Sequence, residues 1–89
     1  MLEASARLTI REGEVEGFKQ QAAEVMRQMR AADEQPLRYE WFVSEDGTQC
    51  EVREAYADAA ALLAHQHHVA EAKTKLMRDF VEVLDELPA

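Results

Sequence analysis

The sequence predicts an α+β domain in which two helices cover one face of a four-stranded antiparallel sheet. Three observations support this prediction: short stretches that alternate apolar and polar residues, two stretches with apolar residues at helical spacing, and an Asp-Gly pair between two alternating stretches. The element order is strand, helix, strand, strand, helix, strand, which closes such a sheet with both helices on one side. We expect residues 1–89 to form a single domain, because a chain this short builds one core.

The first strand is predicted where Ala6, Leu8 and Ile10 alternate with polar residues. A helix is predicted from Glu14 onward, and Pro36 should end it within the three residues that precede the proline. The apolar stripe of this helix consists of Val15, Phe18, Ala22, Val25, Met26 and Met29.

The second and third strands are predicted on either side of a tight turn at Asp46-Gly47. Alternation over residues 37–44 and 49–56 gives each strand one largely apolar face, which the helices should cover. The positions assigned to this face are Leu37, Tyr39, Trp41, Val43, Cys50, Val52, Glu54 and Tyr56. On the opposite face, Phe42 lies among charged residues, and we expect that face to contact a second subunit.

The second helix is predicted to begin after Asp58, whose carboxylate can cap it. Its apolar stripe consists of Leu62, His65, Val69, Ala72 and Leu76. Residues 80–84 are ambiguous, since they continue the helical period but are also rich in β-branched residues. We favour a final strand there, because it completes the four-stranded sheet.

Composition narrows the classes of function. The net charge of -8, from 18 acidic and 10 basic residues, argues against nucleic acid or an anionic membrane as the partner. Because apolar runs fall short of a membrane span and no signal peptide is recognisable, we expect a cytoplasmic protein. With Cys50 as the one cysteine, an intrachain disulfide is excluded, and we expect a homodimer to support the small core.

The sequence resembles the antibiotic biosynthesis monooxygenase family over nearly its whole length. The resemblance is carried by a first strand at residues 7–11 and by Phe18, Tyr39, Glu54, Tyr56, Asp58, Ala61, Leu62 and His65. It implies a dimeric α/β barrel, in which two ferredoxin-like βαββαβ subunits join through their sheets. It also implies a cofactor-independent monooxygenase for small aromatic, quinol or polyketide-like substrates. Family members usually carry a clear final strand, and residues 80–84 match that feature least.

Five residues form the predicted site, with His65 as its proton acceptor. A neutral imidazole on an apolar helix face could take a proton from a phenolic substrate, or it could simply be a core histidine bonded to a carbonyl or to Tyr56. Tyr39, Trp41 and Tyr56 could wall a substrate pocket or belong to the plain core. Glu54 is assigned to the substrate-binding residues, where it could orient His65. Alternatively, it could form a salt bridge with an arginine of the second subunit.

A metal or redox cofactor is not expected. His65 and His68 share a helical face, but zinc requires three or four converging ligands, and His67 points elsewhere on a helix. Cys50 has no neighbouring cation in the sequence that would activate it as a nucleophile. The alternative function is a non-enzymatic module that binds a small ligand or serves only in assembly.

Overall fold

The computed structural model of the chain describes residues 1–32 and 36–82. Within them the elements are β1 (Leu2–Thr9), α1 (Val15–Arg30), β2 (Arg38–Val43), β3 (Gln49–Tyr56) and α2 (Ala59–Phe80). The strands form one antiparallel sheet in the order β1-β3-β2, so β3 is the central strand. The two helices pack against each other and against the sheet, which confirms the α+β class.

The pairing of the strands decides which side chains face the helices. Residues directly opposite each other in an antiparallel pair lie on the same face. Trp41 pairs with Val52 and Leu8 pairs with Cys50, so alternate residues of all three strands share the helix-facing side. The predicted positions of this face are confirmed as buried or half-buried for Tyr39, Trp41, Val43, Cys50, Val52, Glu54 and Tyr56. Leu37 is the exception, because it precedes β2 and is exposed.

The first strand differs from its prediction. It begins at Leu2 rather than near Ala6, because its pairing with β3 continues as far as Tyr56. On the helix-facing side Ala4 and Ala6 are exposed, although the residues opposite them in β3 are buried. The helices therefore cover β3 more completely than β1.

A compact turn joins β2 to β3, as predicted. The Asp46 carboxylate accepts hydrogen bonds from the Ser44 hydroxyl at 2.7 Å and from the Thr48 backbone N–H at 3.0 Å. Gly47 has a φ of 73°, a left-handed conformation that glycine adopts without steric cost. This turn fixes the register that places Tyr39 opposite Glu54.

The apolar stripe of α1 is confirmed, since Phe18, Val25 and Met29 are buried. The helix ends at Arg30, earlier than predicted, and residues 33–35 lie outside the described part of the chain.

The cap of α2 is also confirmed, because an Asp58 carboxylate oxygen accepts a 2.9 Å hydrogen bond from the Ala61 backbone N–H. The buried residues of this helix are His65, Val69, Ala72 and Leu76. They match the predicted stripe, and the helix is continuous through the three histidines.

The prediction of a final strand starting at Phe80 was wrong at that residue, which is the last of α2. The Phe80 ring packs against Gly17 of α1, where even a β-carbon would come within 2.5 Å of it. Val81 then forms an antiparallel bridge with Ile10, and the Glu82 N–H donates to the Thr9 carbonyl at 2.8 Å. The described residues thus contain three strands and one bridge at the free edge of β1, and the rest of the predicted strand lies outside them.

Candidate functional site

Four of the five predicted site residues meet where α2 lies over the sheet. Tyr39 and Glu54 are directly opposite each other in β2 and β3, and Tyr56 follows Glu54 on the same face of β3. His65 belongs to the buried stripe of α2 and faces them. All four are at least nine-tenths buried, with exposed fractions of 8% for Tyr39, 9% for Glu54, 0% for Tyr56 and 6% for His65.

The carboxylate of Glu54 is at the centre of this group. Its Oε1 accepts a 2.7 Å hydrogen bond from the Tyr56 hydroxyl. The same oxygen is 3.9 Å from Nε2 of His65, which is longer than a hydrogen bond. The His65 ring lies 4.5 Å from the Tyr39 ring, at 67°, and 5.4 Å from the Tyr56 ring. The imidazole is therefore held between two phenol rings and beside a carboxylate.

His65 is held in its neutral form. Burial lowers the pKa of this imidazole below its ordinary value, because a charged ring is poorly solvated there. The Glu54 carboxylate opposes this effect, while Lys73 and His68 add to it. At neutral pH the ring is thus available to accept a proton.

The two tyrosines are held protonated. Burial, followed by the nearby Glu54 charge, raises the pKa of Tyr39 to about 12. Burial and then the hydrogen bond to Glu54 raise the pKa of Tyr56. The Trp41 indole acts in the opposite direction on the Tyr39 pKa, but its geometry falls short of a hydrogen bond. Both phenols are therefore hydrogen-bond donors at neutral pH.

Trp41 joins this group only at its edge. Its ring is 6.0 Å from the Tyr39 ring in a T-shaped arrangement, and in the described residues it makes no ring contact with His65. Phe18 of α1 lies 6.1 Å from Trp41 on the other side. Phe18 was not among the predicted site residues, although its position on the buried stripe of α1 could have indicated it.

Three buried polar atoms of the site lack a hydrogen-bond partner within the described residues. They are the Tyr39 hydroxyl, the Trp41 indole Nε1 and Nε2 of His65. Leaving such a group unpaired costs about 1–3 kcal/mol, so native proteins seldom do so without a ligand, a water molecule or a functional reason. The Tyr39 hydroxyl and the Trp41 indole nitrogen are consistent with a site that receives a polar group from outside the chain.

The largest surface groove that we describe lies elsewhere, between α1 and α2. It has a volume of about 1010 Å³ and is lined by polar and charged side chains such as Gln21, Glu71 and Lys75. Two smaller grooves lie along the sheet, at about 240 Å³ beside Arg38 and about 290 Å³ beside Phe42. None of these three grooves is lined by His65, so the predicted pocket beside this histidine is not among the cavities described for residues 1–32 and 36–82.

Other features of the described residues bear on cofactors and on membranes. Within residues 1–32 and 36–82, no three His, Cys, Asp or Glu side chains converge as the ligands of a metal would. Cys50 is buried, and burial raises the pKa of its thiol. Neither helix in this part of the chain combines the length and apolar character needed to cross a bilayer.

Several solved structures have folds similar to that of this chain. A Nitrosomonas europaea protein, named provisionally as an antibiotic biosynthesis monooxygenase, superposes with a TM-score of 0.79 at 17% identity, covering 94% of this chain and 90% of that one. An antibiotic biosynthesis monooxygenase crystal structure gives 0.76 at 21% identity, covering 99% and 100%. MupZ from Pseudomonas fluorescens gives 0.76 at 27% identity, covering 92% of this chain but 64% of MupZ.

The sequence itself was compared with curated proteins and with protein families. None of the curated proteins matches it. The family description "Antibiotic biosynthesis monooxygenase" matches residues 1–83, which is most of the chain and includes every residue of the candidate site. This protein therefore belongs to the antibiotic biosynthesis monooxygenase family.

Proposed function

We propose that the chain is a cofactor-independent monooxygenase that acts on small aromatic, quinol or polyketide-like substrates. Family membership supports a general monooxygenase-like role. The observation that carries the finer proposal is a buried neutral imidazole packed against Tyr39, whose hydroxyl lacks a hydrogen-bond partner among the described residues, as does the indole nitrogen of the adjoining Trp41. The phenol oxygen of a substrate would supply the missing partner and present its proton to His65.

The proposed chemistry begins with a proton transfer. His65 takes the proton of the substrate hydroxyl, which leaves an electron-rich anion that can pass an electron to molecular oxygen. The imidazolium that forms is stabilised by Glu54, whose carboxylate is 3.9 Å away. Tyr39 remains protonated at neutral pH, and its hydroxyl can donate a hydrogen bond to the substrate oxyanion.

Access to the site requires a route past its buried surface. The helix-facing side of the sheet is exposed at Ala4 and Ala6, and Ala4 lies directly opposite Glu54. Small side chains at these positions leave room for a flat ring to lie on β1. We propose that a substrate approaches from this side and completes its contacts when Tyr39 and His65 adjust around it.

Oxygen uptake tests the proposed function. We expect the parent protein to consume oxygen with at least one member of a quinol panel, with chelator present and no flavin added. His65→Ala should lower the rate by about 10²–10⁴-fold, the range for removal of a general base. His67→Ala is the matched control, because that histidine is exposed on the same helix. Absent uptake with every quinol, or equal rates in the parent and His65→Ala, would contradict the proposal.

We also propose a homodimer that forms through the outer face of the sheet, the face turned away from the helices. On this face Phe42 is 47% exposed, and the Arg53 guanidinium lies 5.3 Å from its ring centre. Ion pairs between Arg53 and Glu51 and between Arg38 and Glu40 surround it. An exposed aromatic ring among charges of both signs can match a second copy of itself.

The alternative function is a non-enzymatic module that binds a small ligand or serves in assembly. One observation favours it: His65 is buried and lines none of the three described grooves. In that case the cluster around Glu54 is a structural polar group of the core. Quinol binding without oxygen consumption would support this second function.

A further inference from the structure

We infer that His65 rests as the tautomer with its proton on Nε2, directed at Glu54, and that Nδ1 is the atom that accepts the substrate proton. Glu54 is then a positioning residue, which acts through the histidine rather than on the substrate. The part of this inference that concerns the substrate rests on the proposed function. The tautomer does not, and it can be measured in the protein alone.

The geometry around Nε2 carries the first step. This nitrogen is fully enclosed and has no hydrogen-bond partner among the described residues. The Oε1 atom of Glu54 is 3.9 Å from it. A bare Nε2 would turn its lone pair toward a carboxylate oxygen, whereas a protonated Nε2 turns an N–H dipole toward it. The second arrangement is electrostatically favourable, and a small movement would shorten it to a hydrogen bond.

The second step concerns Tyr56, which binds the same oxygen. Its hydroxyl donates to Oε1 of Glu54 at 2.7 Å, and both groups are buried. This bond fixes the orientation of the carboxylate. It also partly offsets the negative charge of Oε1, which weakens the attraction between Oε1 and His65. Tyr56 therefore holds Glu54 in place and also limits how strongly it stabilises the imidazolium.

The other groups that act on His65 do not replace Glu54. Lys73 and His68 of α2 disfavour a positive charge on the ring. Tyr39 of β2 packs against the His65 ring in an edge-to-face arrangement, and its phenol is uncharged at neutral pH. Among the influences that we identify in the described residues, only the Glu54 carboxylate favours the charged form of His65. Its removal should thus have an effect that no neighbour compensates.

The third step assigns the basic atom. A neutral imidazole has one protonated and one basic nitrogen, and the hydrogen bond made by one nitrogen decides the state of the other. With Nε2 protonated toward Glu54, the basic nitrogen is Nδ1. When Nδ1 accepts a proton from the substrate hydroxyl, the resulting imidazolium places its Nε2–H toward the carboxylate. No proton has to cross from one side of the ring to the other.

Long-range ¹⁵N–¹H correlation spectra of the whole 89-residue chain, recorded without substrate over a pH series, test this inference. The parent should show His65 as the Nε2–H tautomer. Glu54→Gln should lower the His65 pKa, because it removes the charge that favours the imidazolium, and should raise the fraction of the Nδ1–H tautomer. Tyr56→Phe should raise the His65 pKa, since Oε1 is then released toward the ring. Glu51→Gln, on the same strand but on the outer face, is the matched control.

An Nδ1–H tautomer in the parent would overturn the inference, and so would a His65 pKa that is equal in the parent and Glu54→Gln. If Glu54→Gln does not fold, the parent tautomer and the direction of the Tyr56→Phe shift decide the question. The spectra and the oxygen-uptake assay test the two proposals separately. The predicted tautomer without oxygen uptake rejects the proposed function and keeps the positioning role. Oxygen uptake with an Nδ1–H tautomer rejects the positioning role alone.

Discussion

A histidine in the apolar stripe of a helix acquires its properties from the residues that face it. The spacing of Leu62, His65 and Val69 was enough to predict that the imidazole points inward. The sequence could not show that Tyr39, rather than Trp41, would be its ring neighbour. That outcome depends on the strand register, which places Tyr39 opposite Glu54, and register is set by the turn and by side-chain packing together.

The buried imidazole should make stability depend on pH. Its folded pKa is lowered below the value of about 6.5 that applies to an unfolded chain. Between these two pKa values the unfolded state binds more protons, so the free energy of unfolding should fall as pH drops from 7.5 through 6.5 and should level off below the folded pKa. Urea denaturation across this range measures the effect, and His65→Gln should flatten the curve.

His67→Gln is the control for this measurement, because the His67 side chain is exposed on the same helix. The prediction would be wrong if the two substitutions changed the pH dependence equally. It would also be wrong if His65→Gln left the slope of the curve between pH 7.5 and 6 as steep as in the parent.

At the scale of the elements, five segments were predicted with the correct type, and the sixth was wrong at Phe80. The prediction of a strand from Phe80 rested on the β-branched residues that follow it. The helix instead continues through Phe80, because the Phe80 ring packs against Gly17 of α1. A contact between residues so far apart in the chain leaves no local pattern in the sequence. This is why tertiary packing could override the local preference.

Because of this contact, Gly17→Ala should change the melting temperature in opposite directions in the parent and in a Phe80→Ala background. In most helices Gly→Ala stabilises by about 1 kcal/mol. At Gly17 a β-carbon would lie 2.5 Å from the Phe80 ring, so Gly17→Ala should lower the melting temperature of the parent. In a Phe80→Ala background the obstruction is gone, and Gly17→Ala should then raise the melting temperature. Thermal unfolding followed by circular dichroism measures all four proteins.

A rise in melting temperature for Gly17→Ala in the parent would show that the ring moves aside at little cost. An effect of the same sign in both backgrounds would mean that the two residues do not interact energetically. Either result would remove the explanation given for the length of α2.

For the whole molecule, the outer face of the sheet determines the predicted assembly. Composition and chain length indicated that a small core needs support, but the sequence could not show how exposed each residue of this face is. In the structure Phe42 is 47% exposed there, and Arg53 packs over it. The structure thus supplies a specific residue with which to test the proposed homodimer.

Size-exclusion chromatography with light scattering should give the parent a mass of twice the 10.1 kDa chain. Phe42→Glu should shift the protein toward the mass of one chain, because it puts a charge at the centre of the proposed contact. Leu63→Glu is the matched control, since Leu63 is 64% exposed on α2, away from the outer face. A parent of single-chain mass at micromolar concentration would contradict the homodimer, and equal effects of the two substitutions would contradict its location.

The bridge between Ile10 and Val81 has a consequence for how the protein is made. Both residues are buried, and the neighbouring hydrogen bond from the Arg11 guanidinium to the Val81 carbonyl spans 70 residues of sequence. A ribosome releases the chain from its amino end, so β1 must wait without this contact until α2 and Val81 have left the exit tunnel. The core therefore closes only after α2 has emerged, and until then the edge of β1 is exposed to chaperones and to neighbouring nascent chains.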